Sequence, residues 1–149
     1  MTEGPENAQS EPGWLEVFEH TADVGIQVRG DSPQELFEHA AWGMFRIVTD
    51  LESIQPREWQ TVEVSGPDWS TLMVYWLSEL NFLHVTRHEV YGRFEVDFPE
   101  TGLLRARIGG EKIDGQRHVI HTEIKAVTYH QLEVVKAGEI WQARVLFDL

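Results

Sequence analysis

The spacing of apolar residues changes from alternation to helical periodicity near residue 31. Residues 15–19 predict a short strand, and residues 24–28 alternate apolar and polar side chains as a half-buried strand does. A helix is predicted over 33–49, because Ser32 at the N-cap and Glu35 at N3 form a capping box. The apolar face of this helix consists of Leu36, Phe37, Ala40, Ala41, Met44, Phe45 and Val48.

A second strand and helix follow in the middle of the chain. Residues 58–65 predict a strand, and Asp68 is suited to cap a helix that ends near Arg87. Its apolar face consists of Trp69, Leu72, Met73, Trp76, Leu77, Leu80 and Leu83. Two such faces need a common apolar surface, and a sheet supplies one most economically.

The second half of the chain predicts that sheet. Alternating residues on either side of Pro99–Gly102 predict a hairpin, and residues 109–120 are a polar excursion. A long strand over about 124–135 precedes a last strand that ends at Leu149. The core face of this last strand is Trp141, Ala143, Val145 and Phe147. The order predicts an α+β fold, in which two amphipathic helices pack on one face of a mixed sheet.

The amino-acid composition is that of a single folded domain with a polar tail. The 149 residues are 42% hydrophobic and 25% charged, which is typical of one globular domain and not of a disordered chain. Residues 1–13 are polar and lack periodicity, so we expect a disordered acidic tail followed by a single domain over 14–149.

Charge restricts the partners. Twenty-five acidic against 12 basic residues give a net charge of −13, which repels phosphate backbones and favours basic proteins or cations. We therefore expect no autonomous nucleic-acid binding, although the charge is equally explained as serving solubility alone. The absence of cysteine excludes thiolate nucleophiles and Cys-ligated zinc. With no signal-peptide pattern and no apolar run of about 18 residues, we expect a soluble cytoplasmic protein without a membrane partner.

A turn between the first two predicted strands carries the first candidate group. Glu19, His20 and Asp23 are potential metal ligands or acid–base groups that this turn brings near one another. The commoner role of Asp and Thr in such a turn is to hydrogen-bond the local backbone.

The end of the last strand carries the second candidate group. Asp148 and the α-carboxylate of Leu149 are two oxygen donors on adjacent residues. If Asp23 lies nearby, the three groups repel unless a cation joins them, and Ca²⁺ or Mg²⁺ suits an all-oxygen site. The alternative is a chain end that projects into solvent.

Lys125 is the third candidate, because it lies within an otherwise apolar predicted strand. It is placed to pair with carboxylates or to receive a phosphate, and Tyr129 shares its face by the alternation of the strand. The commoner alternative is a solvent-facing lysine. The chain has no nucleotide-binding glycine motif and no Gly-x-Ser-x-Gly, so nucleotide-binding and serine-hydrolase classes have no support.

The same segments resemble the archease family. FEHTADVGIQVRGDSPQELFEHAAWGMFRIVTD at residues 18–50 is similar to its opening, and HTEIKAVTYHQLEVVKAGEIWQARVLFDL at 121–149 is similar to its closing stretch. Residues 76–80, WLSEL, also resemble its second helix. Glu19 stands where many members have Asp.

The resemblance implies an accessory protein and not an enzyme. Archeases assist RtcB-type RNA ligases in tRNA splicing and RNA repair by promoting ligase guanylylation and repeated turnover. It also implies a divalent metal site, for calcium or magnesium, at Asp23, Asp148 and Leu149, with Lys125 needed for activation and Glu19 and His20 as possible supports. Two other interpretations are a small metal-dependent hydrolase with His20 as general base, and a general chaperone or scaffold for RNA-processing enzymes.

Overall fold

The computed structural model describes residues 11–20 and 22–149, with only the backbone of His20. In chain order the elements are β1 Leu15–His20, β2 Asp23–Gly30, α1 Pro33–Val48, a 3₁₀ helix Leu51–Ser53, β3 Glu58–Ser65, α2 Trp69–Arg87, β4 Glu89–Glu100, β5 Leu103–Lys112, β6 Ala126–Ala137 and β7 Ile140–Asp148. The predicted order of strands and helices is confirmed.

The predicted tail, residues 1–13, lies outside the described residues except for its last three positions. There, the carbonyl of Pro12 accepts a hydrogen bond from the Leu15 amide at 3.1 Å, and the carbonyl of Gly13 accepts one from the Arg29 guanidinium. Contacts with the domain are therefore present before Trp14.

The strands divide between two antiparallel sheets. One has the order β1-β2-β7-β6 and the other the order β3-β5-β4. The predicted α+β class is confirmed, but the strands do not share one mixed sheet. The reason is that tight turns join β1 to β2, β4 to β5 and β6 to β7, and such turns allow only antiparallel pairing.

Each helix contacts strands of both sheets. Helix α1 packs against β2 and β4, and α2 packs against β6 and β3. The predicted apolar face of α1 is buried throughout, so this helix joins the two sheets in one core. Its capping box is present in a shifted form: the Ser32 hydroxyl accepts from the Glu35 amide at 3.1 Å, and the Glu35 carboxylate accepts from the Asp31 amide at 2.8 Å.

Two element boundaries differ from the prediction. Residues 109–112 continue β5, so the polar segment is 113–125 and not 109–120. Glycine is needed there, since a Cβ on Gly110 would lie 2.0 Å from the Val90 carbonyl oxygen. Strand β6 begins at Ala126, which leaves Lys125 one residue outside it. Within the described residues, no helix is both long and apolar enough to cross a membrane.

Candidate functional site

Asp23 and Asp148 face each other across two paired strands. Asp23 is the first residue of β2 and Asp148 the last of β7, and they are direct partners in the antiparallel register. Residues opposite each other in such a pair lie on the same face of the sheet. Like charges directly opposite each other in an antiparallel pair are unfavourable unless a positive group offsets them.

The sheet beside this carboxylate pair (Asp23 and Asp148) is covered by an aromatic ring. Gly25 and Leu146 form the next pair on the same face, and a Cβ on Gly25 would lie 2.3 Å from the ring of Phe18. The Arg144 guanidinium lies 4.2 Å from the centre of that ring. Gly25 therefore allows Phe18 and Arg144 to cover the strands up to the carboxylate pair.

The neighbouring turn brings the end of β7 close to Asp23. Ala22 has a left-handed backbone with φ of 68°, and its carbonyl lies 3.5 Å from the amide of Leu149. The backbone of His20 is paired with Asp23, whereas Glu19 is paired with Val24 and therefore lies on the opposite face of the sheet. The predictions for the side chain of His20 concern a group outside the described residues.

A cavity of about 350 Å³ lies behind this turn. Asp23, Glu19 and Leu149 line it together with Arg46 and His121. Arg46 is 9% exposed, and its guanidinium lies 3.8 Å from the Glu11 carboxylate. Glu19, Asp23 and Leu149 thus all border one cavity, although the register places the Glu19 side chain on the opposite face of the sheet from Asp23 and Asp148.

The oxygen donors at this site are of the kind that a hard cation prefers, but they are few. Within residues 11–20 and 22–149, no three His, Asp or Glu side chains converge as a complete metal centre. Asp23 and Asp148 offer carboxylate oxygens, the ligands that Ca²⁺ and Mg²⁺ prefer. Such ions take at least six ligands, so a cation held here would keep several positions for water or for a partner.

Lys125 is fixed through its backbone on the side of α2. Its amide donates to the carbonyl of Asp148 at 2.8 Å, and the carbonyl of the preceding, buried Ile124 accepts from the Asn81 side-chain amide at 2.9 Å. The Lys125 side chain is exposed and lines a cleft between α2 and residues 123–127. The prediction that it lies inside a strand was wrong, although it is adjacent to Asp148.

The expected alternation between Lys125 and Tyr129 is interrupted. The register of β6 against β7 shifts between Thr128 and Glu133, and Gln131 has a left-handed backbone with φ of 54°. Tyr129 is 58% exposed. A strand alternation counted from sequence fails here because the bulge reverses the order of the faces.

Glu111 is the centre of a buried polar cluster that sequence reasoning missed. Its carboxylate is 5% exposed and accepts from Arg117 at 2.5 Å, from the Gln55 amide at 2.7 Å and from His118 Nε2 at 2.9 Å. Burial would raise the pKa of Glu111, but the hydrogen bonds from Arg117, Gln55 and His118 outweigh it and lower the pKa to about 2.

His118 has a defined role in this cluster. Its Nδ1 accepts a hydrogen bond from the Asp114 amide at 2.8 Å, so its Nε2 carries the proton that it donates to Glu111. The cluster ties the start of segment 113–125 to the 3₁₀ helix region. The sequence signal was weak, because Glu111 lies beside Lys112 in a strand that also carries Arg105 and Arg107.

Comparison with known proteins matches this arrangement to one family. The model of the Archease protein family matches residues 15–149, which is the whole described domain from β1 onward. The chain belongs to the archease family. This archease is 38% identical over 143 residues to Protein archease of Methanopyrus kandleri, covering 91% of this chain and 99% of that protein.

Solved structures share the fold of this archease. The solution structure of protein 1598 of Methanobacterium thermoautotrophicum has a TM-score of 0.76 and 34% identity, covering 91% of this chain and 99% of that one. A crystal structure from Thermotoga maritima, described as an archease and possible chaperone, has a TM-score of 0.61 and 23% identity over 95% of this chain and 98% of that one. This second likeness concerns the fold alone.

Proposed function

We propose that this archease is a non-enzymatic activator of an RtcB-type RNA ligase, and that it promotes ligase guanylylation and multiple turnover in tRNA splicing or RNA repair. The observation that carries the proposal is the carboxylate pair, which the register of β2 and β7 holds in direct opposition next to Lys125. Like charges directly opposite each other are unfavourable unless a positive group offsets them, which supports a role for this pair in binding a cation.

Asp23, Asp148 and the α-carboxylate of Leu149 would hold a divalent cation, calcium or magnesium. When bound, the cation supplies positive charge for phosphate oxygens. The protein's own part is to present these carboxylates at an exposed end of the sheet with an incomplete ligand set. That arrangement suits a cation shared with the active site of a metal-using ligase, and Lys125 adds a second positive charge nearby.

Single Asp23→Ala and Asp148→Ala variants test the proposal in a guanylylation and ligation assay with the cognate ligase under multiple-turnover conditions. Each variant should fold as the unmodified protein does and lose at least about tenfold of the acceleration. The matched control is Asp97→Ala, which removes an exposed strand aspartate from the other sheet and should leave acceleration unchanged.

Calcium-dependent thermal stability gives a readout that does not require the ligase. Added Ca²⁺ should raise the Tm of the unmodified protein and of Asp97→Ala, but not that of Asp148→Ala. Undiminished ligase acceleration by both site variants contradicts the proposal. So does phosphoester turnover by the purified chain that chelation abolishes, which would instead favour a hydrolase.

A further inference from the structure

Helix α2 carries apolar side chains on its outer side as well as on its buried side. Tyr75, Phe82 and Val85 are 45%, 59% and 44% exposed. Their spacing of seven and three residues places them along one stripe of the helix. The outer side of a surface helix is ordinarily polar, so several exposed apolar side chains on that side are typical of a contact surface for another molecule.

This stripe borders a cleft of about 500 Å³, which we name the α2 cleft. Phe82 and Val85 lie on its helical wall, and Lys125 and Glu123 lie on the opposite wall. Because the Lys125 amide bonds the Asp148 carbonyl at 2.8 Å, one wall of the cleft is joined directly to the carboxylate pair. A macromolecule that binds at Asp148 therefore also lies next to the α2 cleft.

We infer that the α2 cleft is the docking surface for the ligase, and that its occupant is an apolar side chain flanked by basic residues on a ligase helix or loop. The inference rests on the proposed function and adds where the partner is held. Phe82 and Val85 supply the apolar contact. The carboxylate pair acts on ligase chemistry, whereas the cleft supplies affinity.

Charge indicates which kind of partner fits. Glu123 lines the cleft, and Glu79 lies four residues after Tyr75 and three before Phe82, on the same side of the helix. Lys125 adds one positive charge to the cleft wall, so the two carboxylates outnumber it, and the surface complements an apolar anchor bordered mainly by Lys or Arg. A second copy of this chain fits poorly, because each copy has a net charge of −13.

The double variant Phe82→Ser/Val85→Ser tests the inference. Both side chains lie on the exposed side of the helix, so circular dichroism and Tm should match the unmodified protein. The concentration of archease that gives half-maximal ligase acceleration should rise about tenfold or more, while acceleration at saturation should be unchanged. Direct binding to the ligase, measured by calorimetry, should weaken by the same factor.

Val135→Ser/Ile140→Ser is the matched control, because it removes two side chains that are 37% and 36% exposed on the β6–β7 hairpin. This control should bind and accelerate as the unmodified protein does. If the unmodified protein accelerates the ligase and the cleft variant has an unchanged half-maximal concentration, the cleft inference is overturned while the proposed function stands.

Two further outcomes are informative. If the unmodified protein neither binds nor accelerates the ligase, the proposed function fails, and the docking inference fails with it. If sedimentation shows that the unmodified protein self-associates and the cleft variant does not, the occupant is a second copy of the chain, which also overturns the inference.

Discussion

Carboxylates in this archease lie in two opposite environments. Glu111 is surrounded by donors from Arg117, Gln55 and His118, so its buried charge is compensated by hydrogen bonds. Asp23 and Asp148 instead face each other across paired strands. The first arrangement stabilises the fold, whereas the second is the pair of acidic groups on which the proposed cation site rests.

Glu111→Gln should destabilise the protein by about 2 kcal/mol at neutral pH, because it weakens charge-assisted hydrogen bonds in a buried cluster. The pKa of Glu111 is lowered from 4.5 to about 2 in the folded state. A depressed folded pKa contributes stability above about pH 4.5, and this contribution is lost as the pH falls toward about 2. Urea unfolding measured across this pH range should show that the free energy of unfolding falls more steeply with decreasing pH in the unmodified protein than in Glu111→Gln.

Glu63→Gln is the control for that measurement. Glu63 is 47% exposed and forms a surface ion pair with Arg105 at 2.5 Å. Pairs of this kind contribute less than about 1 kcal/mol, so this variant should retain the stability and acid sensitivity of the unmodified protein. Equal destabilisation by the two variants would contradict the distinction between a buried structural carboxylate and an exposed one.

At the scale of elements, segment 113–125 positions Lys125 through hydrogen bonds and not through regular structure. The Thr49 hydroxyl donates to the Val119 carbonyl at 2.6 Å, and the His121 amide donates to the Val48 carbonyl at 2.7 Å. The side-chain amide of Asn81 in α2 donates to the Ile124 carbonyl at 2.9 Å. Both helices thus fix the residue that precedes β6.

Asn81→Ala should loosen this attachment. It removes the hydrogen bond to the Ile124 carbonyl, so we expect a stability loss of about 1 kcal/mol and roughly fivefold weaker ligase acceleration. Hydrogen exchange should be faster at the amide of Lys125, which bonds Asp148. Ser70→Ala, in the first turn of the same helix and outside the cleft, is the control. Unchanged exchange at Lys125 in Asn81→Ala would show that Asn81 does not position it.

Elements with strong local signals could be predicted from the sequence, and elements set by contacts between distant residues could not. Ser32 and Asp68 mark where both helices begin, because each accepts a hydrogen bond from an amide three residues later. Gly109 and Gly110 suggested the end of a strand, whereas they continue β5 so that Trp59 and Val90 can approach closely.

The candidate site, too, could be predicted from the sequence only in part. Asp23 and Asp148 were expected together because of the family resemblance, whereas the strand pattern placed Asp148 at a strand end and left its distance from the Asp23 turn open. The side of the sheet on which Lys125 and Glu19 lie depends on the start of β6 and on the register of β1, which no local pattern specifies. Phe82 and Val85 were missed because apolar residues on a helix are ordinarily assigned to its buried face.

For the whole molecule, the proposed ligase binding assigns separate parts to net charge and to the apolar surface. A net charge of −13 should attract a basic ligase. Salt shortens the range of this attraction, because the screening length is about 10 Å at 0.1 M and about 3 Å at 1 M. The cleft residues Phe82 and Val85 act only on contact, and their contribution is little affected by salt. The salt dependence of ligase binding therefore distinguishes the contribution of net charge from that of the apolar cleft residues.

Raising NaCl across this range should increase the half-maximal concentration of archease several-fold through slower association, with the ligase alone measured at each salt as the reference. Phe82→Ser/Val85→Ser should shift that concentration equally at every salt and keep the slope of the unmodified protein. Glu79→Gln/Glu123→Gln should reduce the slope, because it removes two carboxylates beside the cleft. If the apolar variant changes the slope and the carboxylate variant does not, the assignment of steering to charge and of affinity to the cleft is reversed.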